Sequence, residues 1–251
     1  MHAPAIVQLT HSQPTFAQLA DLFVMGLRRR MYVPDHADDE VEAEFAAFRT
    51  HLDRHHYPEF CELFAGALSE QLGRERLEEM LPDLSREAAQ RYLEAAPQIQ
   101  QELERSLPSL TQKLRAAAQA VLSSSAGSGA KSSGASRAMM LAQSTGAHEV
   151  LHSLAQAVTR EVLLQRGADA ADPLLLSNSE AQRVREALLS LLVAFYARLF
   201  IQQVGEPHAA MVFEELEREP LRSYLRARSA MKPALDRGLM ELVGRIMREV
   251  L

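Results

Sequence analysis

The chain has 251 residues, with 27 lysines and arginines against 33 aspartates and glutamates, a formal net charge of −6. That mildly acidic balance argues against a general nucleic-acid binder, because neutralising phosphates takes clustered positive charge. The single cysteine, Cys61, excludes an intrachain disulfide and a cysteine-built zinc site. No apolar run reaches the roughly 20 residues of a membrane-crossing helix. The nearest, Leu188 to Ile201, is interrupted by Arg198, so no transmembrane segment is expected.

The start, Met1-His2-Ala3-Pro4, has no basic cluster before an apolar core, so the protein is expected either to stay in the cytoplasm, if the chain is full length, or to have had an export signal removed. Leu19, Leu22, Phe23 and Leu27 then mark a helix stripe that ends in Arg28-Arg29-Arg30. This reads as a solvated helix end, or as a contact for an anionic surface. His51, His55 and His56 cluster near Asp53, Glu59 and Cys61. His51 and His55 lie one turn apart, in reach of a borderline metal. Cys61 reads as a small buried apolar group. Pro58 should break its helix, and Pro108 should bend a long one near 98–121. Residues 123–138, SSSAGSGAKSSGASRA, read as a flexible tether.

Beyond the tether comes His148-Glu149-Val150-Leu151-His152. Two histidines at i and i+4 of a helix can reach one zinc, with the glutamate as base toward its water. The stripe expected on that helix is Val150, Leu151, Leu154 and Val158, with both histidines on the solvated side. Ser177 and Glu180 have capping-box spacing ahead of a stripe of Val184, Leu188, Leu191, Leu192, Phe195, Leu199 and Phe200. Gly205 and Pro207 end it, and helices near 207–216, 219–228 and 230–250 follow.

The two sides of the tether resemble each other. An offset of 132 aligns 60–110 with 192–242 without a gap, with 13 of 51 positions identical. Among them are Gly73/Gly205, Arg86/Arg218, Glu87/Glu219 and Tyr92/Tyr224. Ile99, Leu103, Leu107, Leu110, Leu114 and Ala118 fall opposite Met231, Leu235, Leu239, Leu242, Ile246 and Val250. Steps of three and four trace one helix face in both copies. Nearer the start an offset of 135 sets Thr10 against Thr145. The expected architecture is all-α: two similar helical bundles from an internal duplication, 1–122 and 139–251, joined by a Ser/Gly linker at 123–138. The repeated Arg-Glu and Tyr positions are expected to fix helix packing by salt bridges or tyrosine hydrogen bonds.

Leu141-Ala142-Gln143-Ser144-Thr145-Gly146-Ala147-His148-Glu149-Val150-Leu151 resembles the opening helix of a bacterial family, the domain of unknown function numbered 2059. A later family phrase, similar to Phe-Tyr-x-Ser-Pro-x-Gly-Gln-Lys-x-Leu, looks altered here at Leu216 to Leu225 and again at Leu84 to Leu93. At the family's Thr-Gly-Ala position the first copy reads Thr10-His11-Ser12. The resemblance implies two tandem all-helical copies, often exported to the bacterial envelope or periplasm, with no catalytic residues to carry over.

No phosphate loop, dinucleotide fingerprint or nucleophile elbow occurs. No residue is therefore assigned a catalytic, cofactor-binding or metal-binding role, and no cofactor is expected. The leading expectation is a non-catalytic protein holding a protein or apolar ligand between its two repeats. The alternative is a zinc-dependent hydrolase using His148, Glu149 and His152.

Overall fold

The computed structural model describes residues 3–30, 39–124, 133–168, 176 and 178–250. Among these residues every regular element is helical, so the all-α class expected from the sequence is observed. In the first part of the chain lie α1 (Ala3–Leu9), α2 (Gln13–Arg30), α3 (Asp39–His55), α4 (Tyr57–Leu72), α5 (Arg74–Leu84) and α6 (Glu87–Ser123). The rest forms α7 (Ser133–Ser144), α8 (Ala147–Gln165), α9 (Ser179–Val204), α10 (Glu206–Glu217), α11 (Glu219–Ala230) and α12 (Lys232–Val250). Of the expected tether, 125–132 lie outside the described residues, whereas 133–138 belong to α7. Ala135, Arg137 and Ala138 are good helix formers running directly into Met139, Met140 and Leu141, and this outweighs the local serine and glycine.

The chain divides into two compact units, residues 1–93 with 226–251, and residues 94–225. These are not the expected repeat boundaries of 1–122 and 139–251. Both division points fall inside helices, α6 and α11, and they lie 132 residues apart, which is the offset of the sequence alignment. Each unit thus takes the bulk of one half of the chain and the final helix of the other half.

In the first unit α4 is the central helix, packed by α1, α3, α5 and α12. Phe16 of α2 meets the rings of Tyr57 and Phe60, each at 5.3 Å. A second cluster joins Ala20, Phe23 and Leu27 of α2, Phe45 and Leu52 of α3, and Leu242 and Ile246 of α12. The apolar face of α12 finds its core here, which is why this helix leaves its own half of the sequence. Leu22 is 61% exposed, because the seam of α2 runs Phe16, Ala20, Phe23, Leu27 and passes it by. The side chain of Leu19 lies outside the described residues.

In the second unit α9 is central, packed by α7, α8 and α10. It is 26 residues long and apolar enough, by length and composition, to cross a membrane. Val184, Leu188, Leu192, Val193, Tyr196 and Phe200 are nonetheless buried against its neighbours. Leu191, expected in the stripe, is half exposed. On α8 the buried seam is Leu151, Ala155, Val158 and Val162, while Val150 is 60% exposed and corrects the expected stripe. One residue turns a helix by about 100°, enough to carry Val150 off the seam. Asn178 caps α9 by accepting from the Ala181 amide at 2.7 Å; the expected cap, Ser177, lies outside the described residues.

Local geometry recurs at the alignment offsets. Gly73 (φ 79°, ψ 143°) separates α4 from α5, and Gly205 (φ 90°, ψ 131°) separates α9 from α10. That region is open essentially to glycine alone. Both amides donate four residues back, to Ser69 and Ile201 at 2.8 and 2.9 Å. At the offset of 135, Thr10 and Thr145 donate their hydroxyls to the carbonyls of Ile6 and Leu141, at 2.8 and 2.9 Å. His11 (φ 49°) then takes the left-handed position that Gly146 (φ 76°) takes in the other half. The two aligned stretches differ where expected at Pro58. It sits in the first turn of α4, where its missing amide is tolerated, and α3 and α4 are separate helices. With Ser190 in the equivalent place, α9 runs unbroken.

Candidate functional site

A groove of about 820 Å³ lies between α4 and α12 in the first unit. Glu59, Glu62, Leu63, Gly66, Ala67 and Glu70 line its α4 side. Ala234, Gly238, Glu241, Leu242, Arg245 and Arg248 line the other. Arg245 pairs with Glu59 near the start of α4. A Cβ at Gly238 would lie 3.0 Å from the Leu63 side chain. These two contacts make the helices antiparallel and place Gly238 of α12 against Leu63 of α4. Small and apolar groups form the floor, and carboxylates and guanidinium groups form the rim.

Glu59 also ties the groove to the histidine cluster. Its second oxygen lies 3.1 Å from Nδ1 of His56, which is buried at the α3–α4 junction. The exposed rings of His51 and His55 lie 4.4 Å apart, tilted by 34°, and His51 is 5.8 Å from His56. Cys61 is buried, as expected, and burial pushes its thiol up, away from a reactive thiolate. The Tyr57 hydroxyl beside it is pushed up to about 12, chiefly by burial. Arg28, from the expected basic run, pairs with Glu42 and sits 5.1 Å from the centre of the Phe45 ring. It serves helix packing between α2 and α3. The side chain of Arg30 lies outside the described residues.

His148 and His152 share a face of α8, with ring centroids 5.9 Å apart. Both are half-buried, and Glu149 is exposed. Among the described residues no group of three His, Cys, Asp or Glu side chains is gathered to hold a metal ion. The repeated polar positions act locally. Arg86 pairs with Asp83 at 2.5 Å, and Arg218 with Glu215 at 2.9 Å, equivalent pairs at the offset of 132. Glu87 accepts from Arg91, and Glu219 accepts from Ser223, again at equivalent positions. Arg86, Arg218 and Glu87 thus form salt bridges within three or four residues of themselves, whereas Glu219 accepts from a hydroxyl.

Sequence reasoning missed the groove residues. Glycine inside an otherwise regular apolar helix, at 66 and 238, was the available signal. Comparison of the chain with protein-family models, with curated proteins and with solved structures finds no match.

Proposed function

We propose that the chain is an internally duplicated, non-catalytic helical binding protein that holds its ligand in the groove between α4 of the first half and α12 of the second. The groove itself carries this reading: about 820 Å³ of open space with an apolar floor and a charged rim, the make-up of a recognition site. The matched backbone at Gly73 and Gly205, and at His11 and Gly146, supports the duplication. Association with a bacterial envelope belongs to the same proposal and rests on the resemblance of Leu141 to Leu151; cell fractionation tests it.

The test uses a neutral solvatochromic dye, Nile red, with the full chain. Its emission is expected to rise and shift to the blue on binding. Gly66→Leu is expected to abolish that change, because a side chain there enters open groove space. An unchanged dye response in a folded Gly66→Leu protein would overturn the groove as the site.

The zinc alternative rests on the facing pair His148 and His152. Metal analysis of protein prepared without chelator decides it. Stoichiometric zinc lost in His148→Ala would favour hydrolysis over simple binding.

A further inference from the structure

We infer that the occupant of the α4–α12 groove is a cationic amphipathic helix of a partner protein, about three turns long. This rests on the groove being the binding site and names the chemistry of what it takes.

Four carboxylates, Glu59, Glu62, Glu70 and Glu241, face two guanidinium groups, Arg245 and Arg248. Arg245 is engaged by Glu59. Glu62, Glu70 and Glu241 form no ion pair among the described residues and are exposed. The rim therefore carries four carboxylates against two guanidinium groups, an excess of two negative charges, beside an apolar floor of Leu63, Ala67 and Leu242. An approaching surface gains by bringing positive charge to the rim and apolar groups to the floor.

The groove floor has room for a close approach. Gly66 sits in the middle of α4, where glycine costs about 1 kcal/mol relative to alanine. A Cβ there would meet nothing within 4 Å, so no packing inside the protein requires glycine. Gly238, by contrast, is required by Leu63. The bare backbone at Gly66 lets another helix lie close against α4, as small residues do wherever helices approach tightly.

The dimensions fit a helix. Glu59 to Glu70 is eleven residue steps, about 16 Å at 1.5 Å per step, or three helical turns. Glu62, Gly66 and Glu70 step by four along one face of α4. A partner with lysine or arginine four residues apart would meet the two carboxylates across the glycine. The arrangement belongs to one half of the chain only. At the offset of 132, Gly66 corresponds to Arg198, Glu62 to Ala194, Glu70 to Gln202 and Glu241 to Ser109. The acidic groove is thus an addition to the duplicated framework.

The experiment titrates the full chain with three labelled fifteen-residue helices of alanine and leucine, with blocked ends. They carry lysine, glutamine or glutamate at positions four apart on one face. The lysine helix is expected to bind at least about tenfold more tightly than the glutamine helix, each tenfold being 1.4 kcal/mol, and to weaken with salt. Gly66→Leu, whose thermal midpoint should not fall, is expected to abolish binding. The charge reversal Glu62→Lys with Glu70→Lys is expected to switch preference to the glutamate helix. Equal binding of all three helices, abolished by Gly66→Leu, would overturn the cationic partner and leave the binding groove standing. Lysine-helix binding unaffected by Gly66→Leu would place the contact elsewhere and overturn the inference. Loss of both helix binding and the Nile red response in the unaltered protein would overturn the groove reading itself.

Discussion

Two buried tyrosines show how much a single hydroxyl decides. Tyr196 on α9 donates to the Thr145 hydroxyl at 2.9 Å, tying α9 to the end of α7. Tyr224 is fully buried, and its hydroxyl has no hydrogen-bond partner among the described residues. Tyr196→Phe is expected to lower stability by about 1 kcal/mol, the net value of one hydrogen bond. Tyr224→Phe is expected to leave stability unchanged or to raise it by up to about 1 kcal/mol, because it removes a desolvated group that gains nothing. Urea unfolding of the two variants side by side checks both. Burial also pushes the Tyr196 hydroxyl up to about 12. The folded state then keeps a proton that the unfolded chain loses near its ordinary value of about 10. The contribution is whole below pH 10 and is lost as pH rises toward 12. Tyr196→Phe should flatten that alkaline loss in a pH series of unfolding curves.

At the scale of the helix, the glycines of the groove differ in what holds them. Gly66→Ala is expected to stabilise the protein by about 1 kcal/mol, since alanine is the better helix former and the site is open. Gly238→Ala gains the same propensity but pushes a Cβ to 3.0 Å from Leu63, so its gain should be smaller or reversed. Thermal unfolding of the two single variants measures the contrast. Asn178→Ala should cost about 1 kcal/mol by removing the cap of α9. Most elements of this kind were legible in the sequence, because helix starts and stops are written in local chemistry. Pro58, Gly73 and Gly205 end or break helices wherever they stand, and α10 to α12 begin within two residues of the expected positions. The exposed Leu22, Val150 and Leu191 were not legible. Each is apolar and lies within about 100° of a buried seam, so only the neighbouring helix decides which side is covered.

On the scale of the molecule, the placement of α12 is the main result. Its apolar face, Leu242 and Ile246, completes the core of Phe23, Phe45 and Leu52 from the opposite end of the chain. Ending the chain at residue 230 is expected to expose that core. Hydrogen exchange should then find α2, α3 and α4 unprotected while α8 and α9 stay protected. Protection of α2 to α4 equal to that of the full chain would contradict the role given to α12. By itself, the sequence determined the all-helical class, the boundaries of α10 to α12 and the repeated apolar spacing, since these depend on neighbours three or four residues away; it missed the start of α6 at Glu87 and the helix over 133–138. The tertiary structure alone decided which core each terminal helix joins. The last helix before residue 124 and the last helix of the chain carry apolar residues at the same spacing, and a face of that kind specifies that it must be buried without specifying the partner that buries it. The acidic groove follows from that choice, because Glu62, Gly66 and Glu70 meet Gly238 and Glu241 only when α12 lies along α4.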